Sequence, residues 1–400
     1  MKRRVLMIAA CPFPAPRGTP VRILRMAEEL GRRGHDVHVV TYHLGEPCSS
    51  PLFRIHRIAN VPTYHKMDPG PSYQKLAIVD PLLAIKVMRV ARQIGPDIIH
   101  AHHYEGMLTA LPARKLWKIP VVFDAHVLLD GELEFYSMGV SRRMVGRVAR
   151  FFDRRIPRQA EHVISISEEI REQLCGKYQL PAQRISVVPN GVEEPFFRGR
   201  SDLFPADGLQ RIVFTGNLAL YQGTDLMLEA FAKVLKKRPG VRLVIITDSD
   251  ATEFRSIAAS LGVLEQVDFL LPKLDELPGL IASAAAALNP RTSCPGVPLK
   301  LLNYMAAGAA IVSFRGSSKY LVHEQSGLVI PDADTTAFSE AILRVLEEPQ
   351  LKTRLGACAR EFAASHLTWA RSAQSIEQVY DQVLAGRGDG ARRNERETMA

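Results

Sequence analysis

The chain has 400 residues, of which 46% are hydrophobic and 23% charged. That composition excludes disorder and provides apolar material for two or three buried cores. Lys and Arg number 51 against 42 Asp and Glu, a formal net charge of +9, which suits an acidic ligand, a nucleic acid or an anionic membrane face and selects none of them. The cysteines Cys11, Cys48, Cys175, Cys294 and Cys358 are scattered without a Cys-x-x-Cys pair. This argues against a disulfide framework or a zinc site and for free thiols in a reducing cytosol. No run of about 18 apolar residues is present, so no transmembrane helix is expected. The start, Met1 to Cys11, has too short an apolar stretch for a signal peptide and reads as a first buried strand.

In chain order, Val5 to Ala9 reads as a strand, Val21 to Leu30 as a helix ended by Gly31 and Gly34, and Val37 to Thr41 as a strand. Further strands are expected at Ile98 to His100, Val121 to Phe123, His162 to Ile166 and Ile185 to Val188. This alternation predicts a parallel sheet covered by helices. Pro189-Asn190-Gly191 opens an aperiodic, Pro- and Gly-bearing stretch to about residue 210 that reads as a linker. The rhythm then restarts: strand Arg211 to Thr215, helix Asp225 to Lys237, and strands Val241 to Thr247, Val267 to Leu270, Ala310 to Phe314 and Leu328 to Ile330. Helices follow at Thr335 to Glu347, Leu351 to Ser365 and Thr368 to Leu384. The expected organisation is a domain over 1–190, a linker over 191–210, a second domain over 211–367, a helix over 368–385 returning to the first domain, and a disordered tail over 386–400. Two such α/β halves imply a cleft. Trp369, Val379 and Val383 are the expected anchors of the returning helix.

The loop after the first strand, Ala10 to Pro20, holds one glycine, so a dinucleotide fingerprint is missing; no Gly-x-x-x-x-Gly-Lys-Ser/Thr occurs either. Arg17, Gly18 and Thr19 nevertheless stand just before a helix, whose free N–H groups attract phosphate; the alternative is a stiff surface loop. His100, His102 and His103 are adjacent on a strand end without a suitably spaced carboxylate, so no metal is expected. Asp130, Glu132 and Glu134 could hold hydroxyls or a cation, or simply form a wet loop. In the second half, Phe214 to Phe231 runs strand, glycine loop, helix, and Leu288 to Val312 carries a Pro- and Gly-bearing loop into a helix. Strand ends and helix starts of this kind are where open α/β sheets bind ligands.

At these two stretches the sequence resembles the retaining, nucleotide-sugar-dependent group 1 (family 4 type) glycosyltransferases, whose two Rossmann-like domains face each other (GT-B architecture). Met26 to Val40, Pro96 to His102, Val121 to His126, Ile166 to Ile170 and Val188 to Val192 carry the resemblance along the chain. It implies an α/β fold with a second-domain nucleotide site, a diphosphate neutralised by basic residues and helix-start amides, and retention without a protein nucleophile. It also places His126 near the donor sugar and acceptor. The family usually has an Arg and a Lys where this chain has Asn217 and Gln222, and two glutamates where it has Pro295 and Asn303; a further glutamate corresponds to Lys319. Lys300, at the entry to the helix from Leu301 to Ala307, is then expected to neutralise the diphosphate, with Asn303 accepting the ribose hydroxyls; the alternative is a solvated surface lysine. The implied site is His126 and Lys300 as catalytic residues and Gly18, Thr19, Gly216, Asn217, Gln222, Arg291, Gly296, Val297, Leu301 and Asn303 around the donor. No cofactor or metal is expected.

Arg143, Arg147, Arg150, Arg154 and Arg158 follow i+3 and i+4 steps beside Met144, Val148, Phe151 and Phe152. Such a face suits an anionic membrane surface; the alternative is a solvated helix whose apolar side is core. Nucleic acid is not expected, because no aromatic platform accompanies the charge. The sequence thus reads as a retaining hexosyltransferase using a nucleotide-sugar and a lipid-linked or glycan acceptor in cell envelope polysaccharide synthesis. Its expected place is the cytoplasm, with a peripheral position at the inner membrane face. The alternatives are a non-catalytic sugar- or nucleotide-binding relative of the same fold and, with less support, a sugar-nucleotide epimerase.

Overall fold

Short runs of Val, Ile and Leu, each bounded by Gly, Pro or a polar turn, form two wholly parallel sheets. The computed structural model describes residues 2–398 apart from 17, 68–69, 71, 133–141, 200–202, 274 and 295; for 132, 142 and 387–398 it describes the backbone alone. The chain divides into two units, residues 1–190 with 369–400 and residues 191–368.

The first unit runs β1 (Arg4–Ala9), α1 (Gly18–Arg32), β2 (Asp36–Thr41), β3 (Phe53–Arg57), α2 (Asp80–Ile94), β4 (Ile98–His102), α3 (His103–Trp117) and β5 (Val121–Ala125). It continues with α4 (Leu129–Glu132), α5 (Arg142–Arg155), β6 (His162–Ser165), α6 (Glu168–Gly176) and β7 (Ile185–Val187). The sheet order is β3-β2-β1-β4-β5-β6-β7. β1 is an interior strand, with Val5 opposite both Val37 of β2 and Ile98 of β4, and all its residues from Val5 to Ala9 are fully buried. Strand order reverses at β1, so the loops after β1 and β4 part there and leave a crevice at the carboxyl ends of the strands.

The second unit runs α7 (Glu194–Phe197), β8 (Gln210–Thr215), α8 (Thr224–Lys237), β9 (Val241–Ile246), α9 (Thr252–Ser260), β10 (Val267–Leu270) and α10 (Leu277–Ser283). Then come β11 (Ala286–Asn289), α11 (Leu299–Ala306), β12 (Ile311–Phe314), β13 (Leu328–Ile330), α12 (Thr335–Glu347) and α13 (Pro349–His366). Its order, β10-β9-β8-β11-β12-β13, reverses between β8 and β11. Both switch points therefore repeat one topological solution.

The chain then enters the first unit again as α14 (Trp369–Thr398). Trp369, Ala373, Ile376, Val379, Tyr380 and Val383 are buried with Val5, Met7 and Val39 of the sheet and Ile23, Met26 and Leu30 of α1. Polar bonds fix the register: Ser372 donates to the Pro189 carbonyl at 2.9 Å, Glu377 lies 2.7 Å from His35 Nε2, and Arg3 pairs with Asp381.

Three features differ from the sequence reading. β3 was not expected, because Arg54, His56 and Arg57 break its apolar pattern, which an edge strand tolerates. β11 is rich in alanine and lacks the β-branched signal; burial between β8 and β12 makes it a strand. The last helix continues to Thr398 rather than stopping at Leu384, since propagating a nucleated helix adds one backbone hydrogen bond per residue and three scattered glycines do not end it.

Tyr380→Phe should lower the stability of the first unit by about 1–3 kcal/mol, because His100 loses its buried hydroxyl partner. Urea unfolding followed by Trp369 fluorescence checks this, and unchanged stability would show that the hydroxyl does not hold α14.

Candidate functional site

In the first unit the carboxyl ends of β4 and β5 and the start of α1 bring together one carboxylate, one guanidinium and four imidazoles. Asp124, on the apolar strand β5, is fully buried. Arg22 lies on the inner face of α1 in line with Met26 and Leu30 and is also buried. Its Nε is 3.0 Å from Asp124 Oδ2 and its Nη2 3.2 Å from Oδ1, a bidentate pair. The remaining guanidinium protons go to Asn190 Oδ1 at 2.9 Å and the Val188 carbonyl at 3.0 Å. Burial alone would raise the Asp124 carboxyl, but Arg22, then His126, His100 and His102, outweigh it and hold it well below the usual carboxylate range.

The histidines pack around this anion. His100 Nε2 and His102 Nδ1 lie 3.3 and 3.4 Å from Asp124 Oδ2, and His100 Nδ1 lies 2.7 Å from the Tyr380 hydroxyl of α14. His102 Nδ1 is 3.2 Å from His126 Nε2. Thr19 Oγ1 bridges His126 Nδ1 at 3.1 Å and His103 Nε2 at 2.8 Å. Burial pushes the imidazolium forms down, His102 to about 3, and His126 and His103 below their ordinary value, so all three rings are neutral near pH 7. His100, His102 and Asp124 place three potential metal-ligand atoms within 4.8 Å. The donor set does not suit a cation, because Arg22 already binds both oxygens of the only carboxylate.

In the second unit the site gathers at the switch point between β8 and β11. Gly216 (φ +120°) and Gly223 (φ +72°) shape the loop after β8. A Cβ at Gly223 would lie 2.1 Å from the Pro290 carbonyl, so only glycine lets the two switch-point loops meet. Tyr304 pins α11 to the end of β8, bonding the Thr215 N–H at 2.7 Å and the Thr215 hydroxyl at 3.0 Å. One turn earlier, Lys300 Nζ donates to Gln222 Oε1 at 2.8 Å and stands 4.0 Å over the Phe214 ring. Burial, then the Arg291 charge, pushes the Lys300 ammonium down to about 7. Arg291 stacks on Tyr221, with Cζ 4.9 Å from the ring centre, and Asn217 Nδ2 donates to the Tyr221 hydroxyl at 2.8 Å.

Asn217, Gln222, Arg291 and Lys300 are thus brought together. Gly296 and Val297 lie in the loop leading into α11, and Asn303 stands three residues after Lys300 on the same helix. Leu301 is a correction: its side chain is 0% exposed in the core and its N–H bonds the Pro298 carbonyl, so neither can meet a donor. Thr19 joins the histidine cluster, while Gly18 opens α1 and is exposed. Asp130 is paired with Arg150 and Lys177 rather than left for a ligand; Glu134 and Pro295 lie outside the described residues. Arg158 is a second correction. Pro157 ends the helical run, and Arg158 turns inward to the Tyr178 carbonyl at 2.6 Å, leaving Arg143, Arg147, Arg150 and Arg154 on the helix.

Sequence reasoning missed Arg22, Asp124, Tyr304 and Asn289, whose amide nitrogen bonds Ser313 Oγ and both oxygens of Ser317. A signal existed for the first two: an arginine on the apolar stripe of a helix and a lone aspartate in a buried strand each require a partner.

The description Glycosyltransferase Family 4 matches residues 16–194, and Glycosyl transferases group 1 matches residues 210–348. A D-inositol 3-phosphate glycosyltransferase of Acidothermus cellulolyticus is 28% identical over 97% of this chain and 92% of its own length. In fold, the chain is similar to the sucrose-phosphate synthase of Thermosynechococcus elongatus (TM-score 0.81, 19% identity, 96% of this chain and 100% of that one). It is also similar to HepE of Anabaena in complex with UDP and glucose (TM-score 0.71, 17% identity, 95% and 100%).

Arg22→Met should cost about 3–5 kcal/mol at pH 7, because it leaves the Asp124 charge buried and unpaired. In that variant Asp124 or a neighbouring histidine takes up a proton at higher pH in the folded than in the unfolded state. The deficit should therefore narrow as pH falls. Urea titrations at pH 7 and pH 5 check both points; an equal deficit at the two pH values would contradict them.

Proposed function

Because the chain belongs to the group 1, family 4 type glycosyltransferases, we propose that it moves a hexose from a nucleotide-sugar to a lipid-linked or glycan acceptor with retention of configuration. The observation that carries this reading is the cationic pocket of Lys300 and Arg291 at the switch point of the second unit. Lys300 stands in the first turn of α11, where Pro298 supplies no side-chain cap, so helix-start amides and an ammonium converge on one place. The usual cation of the glycine loop is Gln222 here, and it is bonded to Lys300; the positive charge is supplied from α11 instead of the loop. The UDP and glucose of HepE make a UDP-sugar the first donor to test.

In the proposed reaction the bond between the anomeric carbon and the diphosphate breaks, and its electron pair goes to the leaving phosphate oxygen beside Lys300. The acceptor oxygen bonds the same face of the sugar and gives its proton to that phosphate oxygen. Asn303 accepts from the ribose hydroxyls. Lys300, Arg291 and the helix start meet the developing charge, so the scheme asks for no metal.

Lys300→Ala should slow transfer and hydrolysis of UDP-glucose about 10²-fold without unfolding the protein. With its pKa pushed down to about 7 by burial and Arg291, Lys300 must take up a proton to bind the diphosphate as an ammonium. UDP-glucose affinity should therefore fall as pH rises above about 7, by at most about tenfold per unit, and the Ala variant should lose this dependence. Calorimetry across pH 6–9 and turnover of both proteins check this. Unchanged turnover in the variant would move the role to Arg291. A wild type that binds donors without turning any over would favour the non-catalytic reading.

The reading includes a peripheral position at the cytoplasmic membrane face. Among the described residues no helix is long and apolar enough to cross a membrane. On α5, Met144, Val148 and Phe151 are 59%, 47% and 56% exposed, so they are not core, and they lie among the outward Arg143, Arg147, Arg150 and Arg154. That combination suits anionic lipid. Reversing Arg147, Arg150 and Arg154 to Glu should abolish low-salt flotation with anionic vesicles while donor hydrolysis persists; equal flotation would make the charge a solvated face.

A further inference from the structure

Among the histidines of the first unit, His126 is the one that the sequence singles out, yet both its nitrogens are spent inside the protein and it is 5% exposed. His103 differs in three respects. It sits at the first residue after β4, beside β1, where the sheet order reverses. Its backbone is left-handed (φ +60°), a conformation that is strained for a side-chain-bearing residue and persists where its surroundings hold it. The residue is partly exposed, and its ring is tilted on His126 at 4.4 Å and bonded through Nε2 alone, so Nδ1 has no hydrogen-bond partner among the described residues.

The hydrogen-bond chain decides which nitrogen of His103 carries the proton. Asp124 can only accept, so His102 Nδ1, 3.4 Å away, holds its proton. His126 Nε2, 3.2 Å from that nitrogen, accepts. His126 is neutral, so its proton is on Nδ1 and goes to Thr19 Oγ1. The Thr19 hydroxyl hydrogen is then free to go to His103 Nε2 at 2.8 Å. The single proton of the neutral His103 ring is left on Nδ1, the unpartnered nitrogen. The unpaired Nε2 of His102 fits this order, since it is the bare lone pair of an Nδ1-protonated ring.

We propose that His103 is the substrate-facing histidine of the first unit: the relay Asp124–His102–His126–Thr19 fixes it as an Nδ1–H donor toward a hydroxyl or phosphate oxygen of the bound sugar substrate. Thr19 and His126 are then positioning residues for His103. The inference rests on the glycosyltransferase reading for its substrate, and on the hydrogen-bond geometry of neutral rings for the tautomer.

Long-range ¹H–¹⁵N correlation of the ¹⁵N-histidine-labelled full chain at pH 7.5 tests the tautomer, with His103→Asn assigning the signal. The expected result is an Nδ1-protonated His103 that shifts toward the Nε2–H form in Thr19→Val. An Nε2-protonated or cationic ring in the wild type, or identical ring signals in Thr19→Val, would overturn the relay. Titration with myo-inositol and, separately, inorganic phosphate should move the His103 Nδ1 signal in at least one case and tells a hydroxyl from a phosphate source; no shift with either would overturn the substrate-facing role. In UDP-glucose hydrolysis, His103→Ala should lower kcat about 10²-fold. His103→Asn, which tolerates the left-handed backbone and keeps an N–H donor, should recover most of it. If the wild type leaves UDP-glucose intact, the donor assignment fails, and the tautomer and titration results still decide the role of His103.

Discussion

The first unit depends on the buried pair between Arg22 and Asp124. A carboxylate in the middle of an apolar sheet costs several kcal/mol unless a cation and hydrogen bonds surround it. Here the guanidinium takes both oxygens, and its other protons reach Asn190 and Val188, the last residues before the chain leaves the unit. One ion pair thereby ties α1, β5 and the segment after β7 to one point. It also sets the electrostatic frame for the imidazoles: a neutralised Asp124 orients them without charging them. The returning helix α14 joins the same frame through Tyr380 and His100.

The second unit solves a different charge problem with the same topology. Where the family resemblance leads one to expect cations in the glycine loop, this chain has Asn217 and Gln222, and both have structural work. Gln222 receives the Lys300 ammonium, and Asn217 holds Tyr221, on which Arg291 stacks. The positive charge at this switch point stands on Lys300 and Arg291 rather than in the glycine loop. Tyr304, one turn beyond Lys300, makes the arrangement rigid by bonding α11 to the end of β8.

Much of the fold was legible because parallel strands buried on both faces advertise themselves as short apolar runs between turn signals. β1, β2, β5 and β10 fall where the sequence placed them to within a residue or two. β3 and β11 were hidden for opposite reasons. The edge strand β3 carries Arg54, His56 and Arg57, since nothing packs on it from outside, while β11 is so enclosed that alanines suffice. Arg158 misled because helical spacing continues through it, although Pro157 has already turned the chain. Leu301 misled because a residue beside a functional lysine on a helix points into the core as readily as into the pocket.

The sequence by itself determined the class of fold, the division into two α/β halves and the loops where chemistry concentrates, because these follow from periodicity and turn residues close together in the chain. It also indicated Gln222 as an altered position and Lys300 as the charge that takes over from it. Only the tertiary structure decided that these two side chains touch, since 78 residues separate them, and that Thr19 bridges His103 and His126 across comparable distances in the chain. Hydrogen-bond direction, proton position and burial belong to sets of residues that the sheet assembles from distant strands. No local pattern encodes them, because each depends on which strand ends the topology makes neighbours.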